Sequence, residues 1–182
     1  MDSIYRPRVT LELKQLDKPT ELLDWMRALN IKFYTYSFRV NGIPFIPLCG
    51  EVIKYGASGD CHTGELGERL YRQAGHIPGW TQTEPWLVGS SGEDMCQILD
   101  DYNQTYKYNI TKNDVVIDVW PMNRVSSKDV KVACEDDERR LINEHIATHG
   151  IPPIGNKDHE TNRAFRKYLN TKILDGIVDF GD

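Results

Sequence analysis

Hydrophobic and polar residues alternate through Val9-Thr10-Leu11-Glu12-Leu13, a period of two that predicts a strand. Pro19-Thr20 then opens a helical pattern carried by Leu22, Leu23, Trp25, Met26 and Leu29. Ile31 to Val40 is the strongest strand signal, dense in aromatic and β-branched residues, and Asn41-Gly42 marks a turn after it. Glu51 to Tyr55 reads as the antiparallel partner of that strand, ended by Gly56. Two helical stretches follow. Glu65 to Ala74 turns Leu66 and Leu70 inward; Ser91 caps a stretch to about Tyr106 that buries Met95, Ile98, Leu99 and Tyr102. Val115 to Trp120 is almost uninterruptedly hydrophobic, the mark of a central strand. A helix beginning at Ser126 or Ser127 stops near Gly150, where Pro152-Pro153 bars its continuation. A last amphipathic segment covers His159 to Leu174.

Composition narrows the class. A chain of 182 residues with 40% hydrophobic content has material for one domain and a real core, which excludes a disordered protein. No apolar run approaches the ~20 residues of a membrane span, and Met1 to Arg6 lacks the stretch of a signal peptide. The four cysteines stand far apart with no CxxC, as reduced intracellular thiols do. Cys61, His62 and His76 with one further ligand would make a zinc site, but the spacing matches no common pattern. The expectation is a cytoplasmic protein without membrane contact. A net charge of −5 sets a prior against a polyanion partner, subject to local patches of the other sign.

The succession strand–strand–helix–helix–strand–helix carries motifs in a telling order. Tyr34-Thr35-Tyr36-Ser37-Phe38-Arg39 precedes Asn41-Gly42; Ile53-Lys54-Tyr55-Gly56-Ala57 follows; then come Leu66-Gly67-Glu68-Arg69-Leu70-Tyr71-Arg72 and Glu138-Arg139-Arg140-Leu141-Ile142 with Pro153 and Asn156. This array resembles the GIY-YIG nuclease family, over roughly residues 31–156. The resemblance implies a small α/β (α+β) fold, with a central antiparallel three-stranded sheet flanked by helices. It also implies a divalent-metal-dependent endonuclease hydrolysing DNA phosphodiester bonds, in a restriction-like or phage-type branch. Glu138 would then hold Mg²⁺ or Mn²⁺, Arg69 would stabilise the phosphate, Tyr36 would serve as base, and Asn156 would order the glutamate end of the site. Lys54 stands where the family has its second tyrosine, and a lysine there would lower the pKa of Tyr36 or bind the scissile phosphate.

Read without the family, the same residues keep plainer alternatives. Cys134, Leu141, Ile142 and His145 share a helical stripe that includes Glu138, while Glu135 and Asp136 point elsewhere. A carboxylate on a packed side needs a cation or an arginine partner. Arg69 is either a solvated flank charge or a fork for a phosphate. Tyr36 shares parity with Tyr34, Phe38 and Val40, so it is either a core aromatic or the base, with Tyr34 the substitute if the register moves by two.

Substrate contacts fall to Tyr34, Arg72, His76 and the locally basic tail with Arg163, Arg166 and Lys167, whose alternative is a solvated face. The chain thus divides into an extension over 1–30, a core over 31–156 with an insertion at about 75–112, and a helical tail over 157–182. The expected partner is double-stranded DNA, and a homodimer would suit palindromic cutting. A non-catalytic nucleic-acid-binding module of the same fold is the competing reading.

Overall fold

The computed structural model describes residues 8–18, 20–40, 51–58, 70–71, 74, 99–100, 103–104, 107, 109–122, 127–150, 152–153 and 155–156. Within them lie four strands, β1 (Val9–Glu12), β2 (Tyr34–Val40), β3 (Val52–Ser58) and β4 (Val115–Pro121), and two long helices, α1 (Thr20–Ala28) and α2 (Ser127–His149). The fold is α+β, and the sheet is antiparallel in the order β1-β4-β2-β3.

That sheet has four strands where three were expected. Val9–Glu12 pairs with β4, Leu11 opposite Ile117, so part of the presumed extension belongs to the sheet itself. The reason is the edge of β4: a hydrophobic strand with one bare side is an exposed template, and β1 covers it. β3 also runs longer than expected. Gly56 lies inside the strand opposite Tyr36 and does not end it.

Strand alternation sorts the side chains onto two faces. Tyr34, Tyr36, Phe38 and Val40 of β2 share the first face with Val115, Ile117 and Val119 of β4 and with Val9 and Leu11 of β1. Leu22 and Met26 of α1 pack onto them, joined by Leu70, Ala74, Leu99 and Ile110, forming the main core. Leu70, Ala74 and Leu99 are helical, as the periodicity predicts. The rest of both helical stretches lies largely outside the described residues. So do the tail and the Cys61-His62-His76 group.

α1 ends where Asn30 turns left-handed (φ 50°), its N–H donating to Arg27 C=O at 3.0 Å while Ile31 N–H donates to Met26 C=O at 3.3 Å. On the second face, α2 lies against β3 and β2. Phe33, Ala57, Met122, Val130 and Cys134 form a small apolar cluster at one end of that contact. Polar side chains are buried on this face as well, beside Val116. Thr35 and Ser37 of β2 and Asp118 of β4 are all buried there. Asp118 accepts from Thr10 Oγ1 at 2.6 Å and from Arg39 Nε at 2.8 Å, which ties β1, β4 and β2 together. α2 stops at Gly150 (φ 81°), a left-handed position that suits glycine.

Candidate active site

β3 is an edge strand, and its outer row of N–H and C=O groups requires partners. The chain returning from α2 supplies them. Gly155 N–H donates to Ile53 C=O at 2.7 Å. The Asn156 carboxamide then takes the next place in the ladder: Oδ1 accepts from Tyr55 N–H at 2.9 Å and Nδ2 donates to Tyr55 C=O at 3.0 Å. The approach is close. A Cβ at position 155 would lie 2.8 Å from Ile53 O and 2.9 Å from Lys54 Cβ, so glycine is needed there.

Tyr36 reaches the same strand from β2. A Cβ built on Gly56 would collide with Cζ and Oη of Tyr36 and stand 2.9 Å from its Cε1. The ring therefore lies across β3 with its hydroxyl end over Gly56, a position only glycine leaves open. Tyr36 is fully buried, its ring 5.7 Å from Phe38 and 6.0 Å from Tyr34. The hydroxyls of Tyr34 and Tyr36 are both enclosed. Lys54, paired with Phe38, shares this face two residues before Gly56 and is 7% exposed.

On α2 the stripe facing the sheet is Val130, Cys134, Asp137, Leu141 and His145. Ile142 is buried as well, so Cys134, Leu141, Ile142 and His145 all lie inside as the sequence stripe expects; the enclosed acid, however, is Asp137, with Glu138 half-buried at the stripe's edge. The spacing 134, 137, 141, 145 (steps of three, four and four) carried the signal for Asp137. Asp137 accepts from Thr35 Oγ1 at 2.6 Å, and its other oxygen accepts from Arg140 Nε at 2.9 Å and Nη2 at 2.7 Å. These donors satisfy both oxygens of the enclosed carboxylate.

Arg140 and Glu144 lie on the Asp137 side of the stripe, while Glu138 and Ile142 lie on the opposite flank. Asp137 bonds β2, while His145 packs on Tyr55 of β3, whose phenol also lies near Glu144 and Arg140. Tyr36, Lys54 and Asn156 thus meet at β3, the first two on one sheet face and Asn156 along the edge. Glu138 approaches from the other face. Tyr34 is buried in the core beside Tyr36. Arg69, Arg72, His76, Arg163, Arg166 and Lys167 lie outside the described residues.

Local electrostatics separate the groups further. Burial, then the nearby carboxylates of Glu144 and Asp118, push the Tyr55 phenol above its ordinary range against the opposing pull of Arg140. Burial lowers the Arg140 guanidinium, but its hydrogen bonds to Asp137 and Glu144 outweigh that and leave it raised. Burial, with Asp137 adding to it, pushes the Cys134 thiol up to about 12, so this sulfur is inert at neutral pH. Among the described residues no group of three or more His, Cys, Asp or Glu is placed to hold a metal ion. A single carboxylate with retained waters is how Mg²⁺ ordinarily binds, and Glu138 suits that habit.

Comparison with protein-family models, with curated proteins and with solved structures finds no match to the chain. Among the described residues no helix is long and apolar enough to cross a membrane.

Proposed function

We propose that the chain is a divalent-metal-dependent endonuclease of GIY-YIG-like architecture that hydrolyses DNA phosphodiester bonds at the outer side of β3. The observation that carries this reading is the gathering of three motifs, distant in sequence, on one edge strand: Tyr36 across Gly56, Lys54 beside it, and Asn156 bonded to Tyr55. The element order adds support, since β2 lies between β3 and β4 and the helix bearing Glu138 follows β4. Leu70, next in sequence to Arg69, is buried in the same core cluster as Tyr36.

In this reading Glu138 holds the Mg²⁺ or Mn²⁺ ion, which when bound would offset charge on the phosphate and the leaving oxygen. Tyr36 is the base. For it to accept a proton from water, its enclosed hydroxyl must open past Gly56 toward the outer side of β3, where the ion on Glu138 would be reached from the other sheet face. The Lys54 ammonium on the same sheet face lowers the cost of a phenolate. Arg69 stabilises the equatorial oxygens. Asn156 fixes the β3 backbone on which Lys54 and Gly56 sit. Cleavage by a two-fold dimer would produce cuts in both strands of a palindrome.

A second reading, a non-catalytic nucleic-acid-binding module, is favoured by one observation: the complete burial of Tyr36, which keeps water from its hydroxyl. Plasmid DNA incubated with the protein and Mg²⁺ or Mn²⁺ decides between them. The endonuclease reading expects nicked or linear product, lost by about 100-fold or more in Glu138→Ala. DNA retained in a mobility-shift assay but never cut selects the second reading. Equal cleavage by both proteins removes Glu138 from the metal role.

A further inference from the structure

We propose that His145 and His149 form a two-imidazole chelate for a borderline-soft divalent cation of the Zn²⁺, Ni²⁺ or Cu²⁺ kind. The two residues stand four apart in the last turns of α2, so their side chains share one face. Their ring centroids are 4.5 Å apart with planes tilted by 45°. Imidazole nitrogens bind zinc at about 2.0–2.1 Å, so two of them on one ion lie roughly 3 Å from each other. Rings already this close reach that arrangement by small rotations.

The pair is also partly built before any ion arrives. His145 is 5% exposed and packs edge-on against Tyr55, with centroids 6.4 Å apart and planes at 78°. Tyr55 is itself held through its backbone by Asn156. His149 is half-buried, which leaves the ion a way in from solvent. One nitrogen of each ring suffices, and the other can keep a hydrogen-bond partner, as metal-bound imidazoles ordinarily do. Water fills the remaining positions, in keeping with the absence of a third ligating side chain among the described residues.

Imidazole donors select this class of ion over Mg²⁺ or Ca²⁺, which prefer oxygen. The site is separate from Glu138, which precedes His145 by two helical turns, about 10 Å along the axis. A cation held here would fasten the end of α2 next to the Asn156 contact. It stands whether or not the chain cuts DNA.

Calorimetric titration of the tag-free full chain with NiCl₂ tests the site, with thermal unfolding measured at each nickel concentration. Nickel is used because the chain's cysteines compete for zinc. The expected result is one ion bound per chain with micromolar affinity and a rise in Tm. His149→Gln, a change near the helix end that leaves the core intact, weakens binding at least tenfold and abolishes the Tm rise. Glu138→Gln leaves both unchanged. Absence of nickel binding to the wild-type chain, or equal affinity in His149→Gln, overturns the proposal.

Discussion

Gly56 shows how one missing methyl group organises the neighbourhood of β3. Its partner in the register is Tyr36, whose ring occupies the space a Cβ would fill. Replacing Gly56 with Ala forces the ring into an already filled core, and the neighbours cannot yield cheaply because Phe38 and Tyr34 flank it. The expected cost is about 1–3 kcal/mol, read as a lower denaturant midpoint with an unchanged slope. A midpoint equal to wild type would mean that the ring does not lie across β3. From sequence, this glycine reads as a strand terminator, because only the cross-strand partner reveals why it sits in mid-strand. The exchange of Glu138 for Asp137 at the centre of the α2 stripe has a similar origin. Neighbouring residues on a helix differ by ~100° in direction, so the placement of a stripe decides which of two adjacent acids is enclosed.

Elements were legible wherever local periodicity was strong. Ser127–His149, Thr20–Ala28 and Val115–Pro121 follow the hydrophobic pattern to within a residue or two at most of their ends. What joins the elements was not legible, because it rests on side chains replacing backbone. Asn156 exchanges two hydrogen bonds with Tyr55, and Asn103 does the same with Ile110, at 2.8 and 3.0 Å. In both cases a carboxamide, with one donor and one acceptor at peptide-like spacing, stands in for a backbone peptide group. The resemblance to a nuclease family pointed to Asn156 as the residue ordering the glutamate end of the site; the bonds of its carboxamide to the Tyr55 backbone were not legible from that resemblance. Asn156→Ala leaves the Tyr55 N–H and C=O without those partners, at an expected cost of about 1–3 kcal/mol. Amide hydrogen exchange should then quicken at Tyr55 more than at β4. Uniform exchange across the sheet would show that the contact does not hold the edge.

For the whole molecule, alkaline stability follows from the enclosed second face. The Cys134 thiol is raised from 9.0 to about 12 by burial, whereas an unfolded chain ionises it at its ordinary value. Below about pH 8 both states keep the proton and this contribution to stability is complete. Between about pH 9 and 12 the unfolded state releases a proton that the folded state retains, so stability falls with rising pH, by at most about 1.4 kcal/mol per unit. Cys134→Ala should flatten that part of the curve relative to wild type in urea titrations taken across the window. Parallel curves would mean that the thiol is not enclosed.

The two outer strands of the sheet carry one more consequence, for the order in which the fold is made. Thr10 and Asp118 are separated by 108 positions, and Tyr55 and Asn156 by 101. Neither edge can close by local zippering; each must bring distant stretches together against chain entropy before any contact offsets it. On the ribosome β1 emerges first yet has no partner until β4 follows, more than a hundred residues later. β2 and β3 can pair in the meantime, but with one side of β2 and the outer side of β3 still open. The nascent chain therefore passes through a stage with bare strand edges, the stage at which such sheets are most prone to pair with another copy.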